Sequence, residues 1–307
     1  MIYQQIDKNK RKTYLIFTIF FIILAGIGSF IGDFFMDNIW GGLIITLVVA
    51  VIYTLITYFQ STNIVMQMNG AKKVNSAEEA PDLWHIVEDL TMVADIPFPD
   101  IYIIQDDSPN AFATGRDPEH AAVAVTTGLY KMMNREELEG VLAHEISHVK
   151  NYDIRVSTIS IALSSAIVFL SYMIGNAYRF VLPFDDDRDR NNNGGGSWVA
   201  IRLVLWLIGI LFMILGPFIA SLVQLAISRN REYLADVSGA ELTRNPQGLI
   251  NALEKLKAST KPMKKVDEAS AALYIDDPMK KKKHFVHLFD THPPLDDRIA
   301  ALKKSFM

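Results

Sequence analysis

The sequence predicts an α+β membrane protein in which four transmembrane helices carry a mostly helical soluble domain with a small sheet. Two observations predict it. Half of the 307 residues are hydrophobic, and they concentrate in four charge-free runs, Thr13 to Gly32, Ile39 to Phe59, Val156 to Tyr178 and Leu203 to Ser228, of 20, 21, 23 and 26 residues. Each reaches the roughly 20 helical residues that cross about 30 Å of hydrocarbon. Between and after these runs, segments of helical period alternate with three short β-type segments. A buried core helix explains one such apolar run but not four.

Residues 1–12 hold Lys8, Lys10, Arg11 and Lys12 and read as a cytosolic tail. The run that follows is too long for a secretory signal and lacks a small-residue cleavage pattern before Asp33, so it reads as a retained anchor. Residues 13–59 form a first transmembrane hairpin. Residues 60–155 form the first half of a soluble domain. Here Leu83, Ile86, Val87, Leu90 and Val93 repeat at helical spacing after Pro81, and Ile101 to Gln105 reads as a strand. Past the turn-like Asp106-Asp107-Ser108-Pro109, Ala111 to Thr114 and Ala121 to Thr126 are two more strands. Asn134 then caps a helix, and Glu137 three positions on completes a capping box.

Residues 156–228 form a second hairpin. Its outer loop, 179–202, is polar and glycine-rich and is expected to be flexible. Pro217 is tolerated in a membrane helix whose neighbours satisfy the freed carbonyl. Residues 229–307 complete the domain, with helices from Asn245-Pro246 to about Ala258 and from Pro294 to about Lys304. The two soluble halves total 175 residues, enough for one ordinary domain split by a membrane hairpin.

Four crossings put the tail and both soluble halves on one side. That side carries Lys72, Lys73, Lys255, Lys257, Lys264, Lys265 and the run Lys280 to Lys283, whereas the connection Asp33 to Asn38 has no Lys or Arg. The positive-inside rule makes it cytosolic. A formal net charge of −4 offers no basic face for nucleic acid. The absence of cysteine excludes disulfides and thiolate metal sites, which leaves His and carboxylates as strong ligands.

His144-Glu145-Ile146-Ser147-His148 lies inside the capped helix. Its two imidazoles stand one turn apart on one face, where both reach a single ion, and Glu145 is adjacent to act on water at that ion. A catalytic zinc wants a third protein ligand and an open position. Glu232 is the best candidate by hairpin geometry: His148 to Arg179 is 31 residues and Arg202 to Glu232 is 30, so if runs three and four form a helical hairpin, at about 1.5 Å per residue the two return to one depth to within a turn or two, unless Asp153 or Pro217 breaks the regularity. If the helices continue, that depth is roughly 6 to 12 Å outside the bilayer. Asp236, one turn beyond Glu232, can accept the second imidazole N–H of a ligand such as His144. His85 and His120 read as structural or exposed. His284 and His287 lack a carboxylate or cysteine to complete a second site, and Lys280 to Lys283 reads as a solvated loop.

The combination of His-Glu-Ile-Ser-His, Ser228-Arg-Asn-Arg-Glu-Tyr-Leu-Ala-Asp236, Asn110-Ala-Phe-Ala-Thr-Gly and Thr291-His-Pro-Pro resembles the HtpX-type membrane zinc metalloproteases. These are similar to the CAAX prenyl proteases and belong to the gluzincin group. The resemblance covers nearly the whole chain. It implies a zinc metalloendopeptidase with one zinc per chain, in the bacterial cytoplasmic membrane. Its expected role is quality control and stress response, acting on damaged or misassembled membrane proteins or other unfolded polypeptides. It also implies that His292 stabilises the oxyanion and that Asn110, Ala111, Phe112 and Ala113 form a cleft-edge strand that pairs with substrate backbone. Zinc so held activates water for attack on a peptide carbonyl, with Glu145 as the base that passes the proton to the leaving amine.

Two readings compete with this one. A scaffold or transporter with a structural metal would need charged or broken elements in its spans, or a fourth protein ligand. A narrow terminus-trimming protease of the prenyl type implies a larger membrane chamber than four spans enclose.

Overall fold

A computed structural model describes residues 2–161, 163, 229–266, 270–280 and 293–306. The fourth run, most of the third, the outer loop 179–202, His284, His287, His292 and Lys281 to Lys283 lie outside the described residues. The described chain is helix-rich with one small sheet. Helices α1 (Ile2–Met36) and α2 (Ile39–Met68) form a hairpin, with Asn38 capping α2 by accepting from Gly41 N at 3.0 Å. Their backbones come close: a Cβ on Gly42 would lie 2.3 Å from Gly28 O, so only glycine permits this approach.

The first two expected spans fall within α1 and α2, but neither helix stops at a soluble boundary. The residues read as a tail belong to α1, and α2 runs nine residues past Phe59. Helical hydrogen bonding continues because no Pro, Gly or cap intervenes until Asn69-Gly70. Among the described residues α2 is the one helix long and apolar enough to cross a membrane. Trp40, Ile44, Val49, Ile52, Leu55 and Ile56 stand exposed around it.

A four-stranded sheet follows, in the order β1-β2-β4-β3. Its strands are β1 (Ala71–Lys73), β2 (Asp100–Ile104), β3 (Ala111–Gly115) and β4 (Ala121–Thr126). The β2–β4 pair is parallel and the other two are antiparallel. Residues alternate between faces. Ile101, Ala111, Ala113, Val123 and Val125 face α3 (Pro81–Ala94) and α5 (Arg135–Lys150), with Leu83, Ile86, Leu142 and Ile146 in the same core. Tyr102, Ile104, Phe112, Ala122 and Ala124 face the end of α2 and Tyr274. The short helix α4 (Thr127–Met132) links β4 to α5. The sequence placed all three of β2, β3 and β4 to within a residue or so.

The expected capping box is present at Asn134 and Glu137, with both reciprocal bonds formed at 2.8 and 2.9 Å. Helices α6 (Arg229–Thr243) and α7 (Pro246–Ala258) then pack against α5, and α8 (Leu295–Phe306) packs on α6 and α7. The hairpin estimate assumed an unbroken helix from α5 into the third run. Instead α5 ends at Lys150 with Asn151 as its cap, Tyr152 adopts a left-handed φ of 59°, and a new helical segment begins at 153.

Candidate metal centre

Helix α5 presents His144 and His148 on one face, and α6 presents Glu232, Asp236 and Gly239 on the face opposite. The two approach closely because Gly239 has no side chain. A Cβ there would lie 2.8 Å from His144 N. This crossing brings together residues 84 positions apart: one donor atom each from His144, His148 and Glu232 lies within 4.8 Å of the others. Glu232 Oε2 is 3.6 Å from His144 Nε2, and Glu232 Oε1 is 3.6 Å from His148 Nε2. The cleft over these atoms is also lined by Glu145, Ala113, Asp153, Arg231 and Ile275.

Each imidazole is held from behind. His144 Nδ1 lies 3.0 Å from Asp236 Oδ1, and His148 Nδ1 lies 3.1 Å from Asp153 Oδ2. Those contacts put the ring protons on Nδ1 and turn both Nε2 lone pairs toward each other, 3.2 Å apart. Two facing lone pairs need a cation between them. Burial and the Arg298 charge push the His144 pKa down, but Asp236 and Glu232 outweigh them and carry it up to about 9. Zinc fits the same place: with bonds of about 2.0 to 2.1 Å, the edge of a tetrahedron is about 3.3 Å, close to the observed separation. A set of two imidazoles and one carboxylate is also the donor chemistry that zinc takes in open sites.

Glu145 is 2 % exposed, and its burial lifts its pKa above the usual carboxylate range, although the two histidines pull against it. A carboxylate raised in this way is suited to accept and return a proton.

Arg298, from α8, is fully buried and forks onto Asp236, with Nε donating to Oδ2 at 2.8 Å and Nη2 to Oδ1 at 2.6 Å. Its Nη1 donates to Ile275 O at 3.1 Å. Burial alone would raise the Asp236 pKa, but Arg298 overcomes it and holds that carboxylate down at about 2. Sequence reasoning missed Arg298 and Asp153. A signal for the first was present, since Arg298 sits on the apolar stripe formed by Leu295, Ile299 and Leu302. The sequence marks Asp153 only as a residue that can break the helical hairpin, not as a partner of His148. It faces His148 where the helix breaks at Tyr152.

Of the residues read as a substrate strand, Asn110 is buried, and its side chain donates to Asp276 O and accepts from Asp276 N and Ala111 N. Phe112 packs edge-on against Tyr274, away from the cleft. Ala111 O accepts from Ile275 N at 3.0 Å. Ala113 alone of the four lines the cleft. Thr126 N donates to Asn110 O, which fixes the alternation of the antiparallel pair, so the Ala113 N–H and C=O point away from β4 at the sheet edge. His85 and His120 are exposed beside Glu88 and Asp117.

The model of peptidase family M48 matches residues 77–305, three-quarters of the chain and all of the site just described. The chain belongs to peptidase family M48. As a member of M48 it is a metallopeptidase, a hydrolase of peptide bonds. It is 55 % identical over 308 residues to the "Protease HtpX homolog" of Limosilactobacillus reuteri (strain DSM 20016), covering 99 % of this chain and 100 % of that one. It is 52 % identical over 303 residues to the same-named protein of Ligilactobacillus salivarius, covering 99 % of each. The resemblance drawn from the sequence motifs is thereby borne out. Among solved structures, that of S. mikatae Ste24p aligns over 97 % of this chain and 66 % of its own length, at 19 % identity and a TM-score of 0.43. The M48 chain thus spans just under two-thirds of that structure.

Proposed function

We propose that this M48 chain is a membrane-bound zinc endopeptidase that cuts damaged or misassembled membrane proteins at the cytosolic face of a bacterial cytoplasmic membrane. One zinc would be held by His144, His148 and Glu232. The observation that carries the reading is the convergence of those three donors beside a buried Glu145 in a cleft edged by β3. Exposed apolar side chains around α2, and bacterial relatives of the same length called proteases, support the membrane setting and the activity. The four crossings, the cytosolic orientation and the division of the chain at 13–59, 60–155, 156–228 and 229–307 are part of the same proposal.

Zinc, when bound, supplies Lewis acidity for water and for the scissile carbonyl. Glu145 takes the proton of the attacking water and gives it to the leaving amine, which its lifted pKa favours. Asp236 and Asp153 keep both Nδ1 atoms protonated and both Nε2 atoms available. The outward N–H and C=O of Ala113 pair with an extended substrate backbone, and Asn110 and Phe112 hold that strand from behind. His292 is assigned the contact to the oxyanion. Glu145→Gln tests the reading. Purified with its zinc and given an unfolded membrane-protein substrate, it should retain metal and lose on the order of 10²–10⁴-fold in turnover. Cleavage at the wild-type rate by metal-loaded Glu145→Gln would refute the mechanism.

A further inference from the structure

The segment that reads as a tail reaches the metal centre. Asn9, in the first turns of α1, is fully buried. Its Nδ2 donates to Asp153 Oδ1 at 2.8 Å and to Asn151 O at 3.0 Å, across 144 and 142 positions of sequence. Its Oδ1 has no hydrogen-bond partner among the described residues, and the reversed amide would set that oxygen against two acceptors, so the orientation is fixed.

Both oxygens of Asp153 are therefore engaged. Oδ1 takes Asn9 and, at 3.4 Å, Arg231 Nη1, whereas Oδ2 faces the Nδ1 of His148. Asn151 and Asp153 flank Tyr152, whose left-handed backbone makes the turn that aims Asp153 at His148. The Asn9 amide thus grips this turn on both sides of its strained residue.

We propose that Asn9 is a positioning residue for the metal centre. By clamping Asp153 and Asn151 it fixes His148 as a ligand, so zinc retention depends on α1 being docked. Partners of this kind orient the imidazole that bears the metal, and their loss costs about 10–100-fold in metal affinity. The inference rests on the zinc reading above.

The test follows zinc release into excess chromophoric chelator from full-length, folded protein, with Asn9→Leu, Asp153→Ala and the double variant compared in a cycle. Asn9→Leu should release zinc on the order of tenfold faster than wild type. In the Asp153→Ala background the same change should have no further effect. Asn9→Asp, isosteric but placing a second carboxylate against Asp153, should also release zinc faster, and it decides the matter if Asn9→Leu does not fold. Thr13, one turn along on the same buried face, bonds among the described residues within α1, to Asn9 O, so Thr13→Val should release zinc at the wild-type rate. Wild-type release from Asn9→Leu or Asn9→Asp overturns the inference, as does an Asn9→Leu effect undiminished in Asp153→Ala. Equal acceleration by Thr13→Val also overturns it, because helix docking in general would then be the cause. A wild-type protein that binds no zinc defeats the zinc reading instead.

Discussion

Arg298→Met replaces a buried fork by a side chain of similar length without charge. In the wild type, two N–H groups of Arg298 meet the two oxygens of Asp236 at 2.6 and 2.8 Å, a third reaches Ile275 O at 3.1 Å, and Glu232 Oε2 lies 3.8 Å away. The variant leaves Asp236, 1 % exposed, without its counter-charge. Removing one partner of a buried ion pair costs about 3–5 kcal/mol, a large part of the about 5–15 kcal/mol that holds a domain folded. A pH signature accompanies the loss. The folded pKa of Asp236, about 2, lies below the usual carboxylate value, so its contribution is present above about pH 4 and is lost as pH falls toward 2. Without Arg298 burial opposes ionisation of Asp236, so the deficit of the variant relative to wild type should be full above about pH 4 and shrink as pH falls toward 2. Chemical unfolding in mild detergent, with zinc competition alongside, checks both points. Arg298→Lys, which keeps the charge but not the fork, should fall between. If Arg298→Met unfolds within about 1 kcal/mol of wild type and holds zinc equally well, the fork onto Asp236 does not support the site as argued.

Two further outcomes follow from the same geometry. Gly239→Ala would set a methyl 2.8 Å from the backbone nitrogen of His144, so α6 must move away from α5. A destabilisation of about 1–3 kcal/mol with weakened zinc binding is expected, and unchanged affinity would mean that the helix crossing does not set the distance from Glu232. Zinc binding should tighten as pH rises toward 9, because the proton raised on His144 must leave before Nε2 can take a metal. The change should approach tenfold per unit for one released proton. Competition titrations at pH 6.5, 7.5 and 8.5 that gave a flat affinity would contradict this.

The parts of the fold legible in the sequence were those governed by local chemistry. Alternation located β2, β3 and β4, Pro81 and Asn245-Pro246 opened helices, and Asn134 with Glu137 set the start of α5. The motif histidines were legible because one helical turn separates them. Asp236 was legible for the same reason, being one turn beyond Glu232. The other contacts that hold this centre from behind were not, because they come through a turn the side chains do not announce or from distant segments. Asp153 reaches His148 through a left-handed turn at a tyrosine, a conformation that side-chain type does not announce. Asn9 lies 144 positions from the carboxylate it grips, in a stretch whose charge suggested a solvated tail. The substrate strand shows a further limit. Its residues were identified together, but strand geometry sends Asn110 and Phe112 into the core and leaves Ala113 at the cleft.

X-ray absorption at the zinc edge of the purified full-length protein tests the central claim most directly. Two imidazole nitrogens at about 2.0–2.1 Å and carboxylate oxygen at about 2.0–2.2 Å are expected, with one nitrogen lost in His148→Ala and the carboxylate in Glu232→Ala. A wild-type spectrum with fewer than two imidazoles, or one unchanged by Glu232→Ala, would contradict a zinc site built where α5 crosses α6.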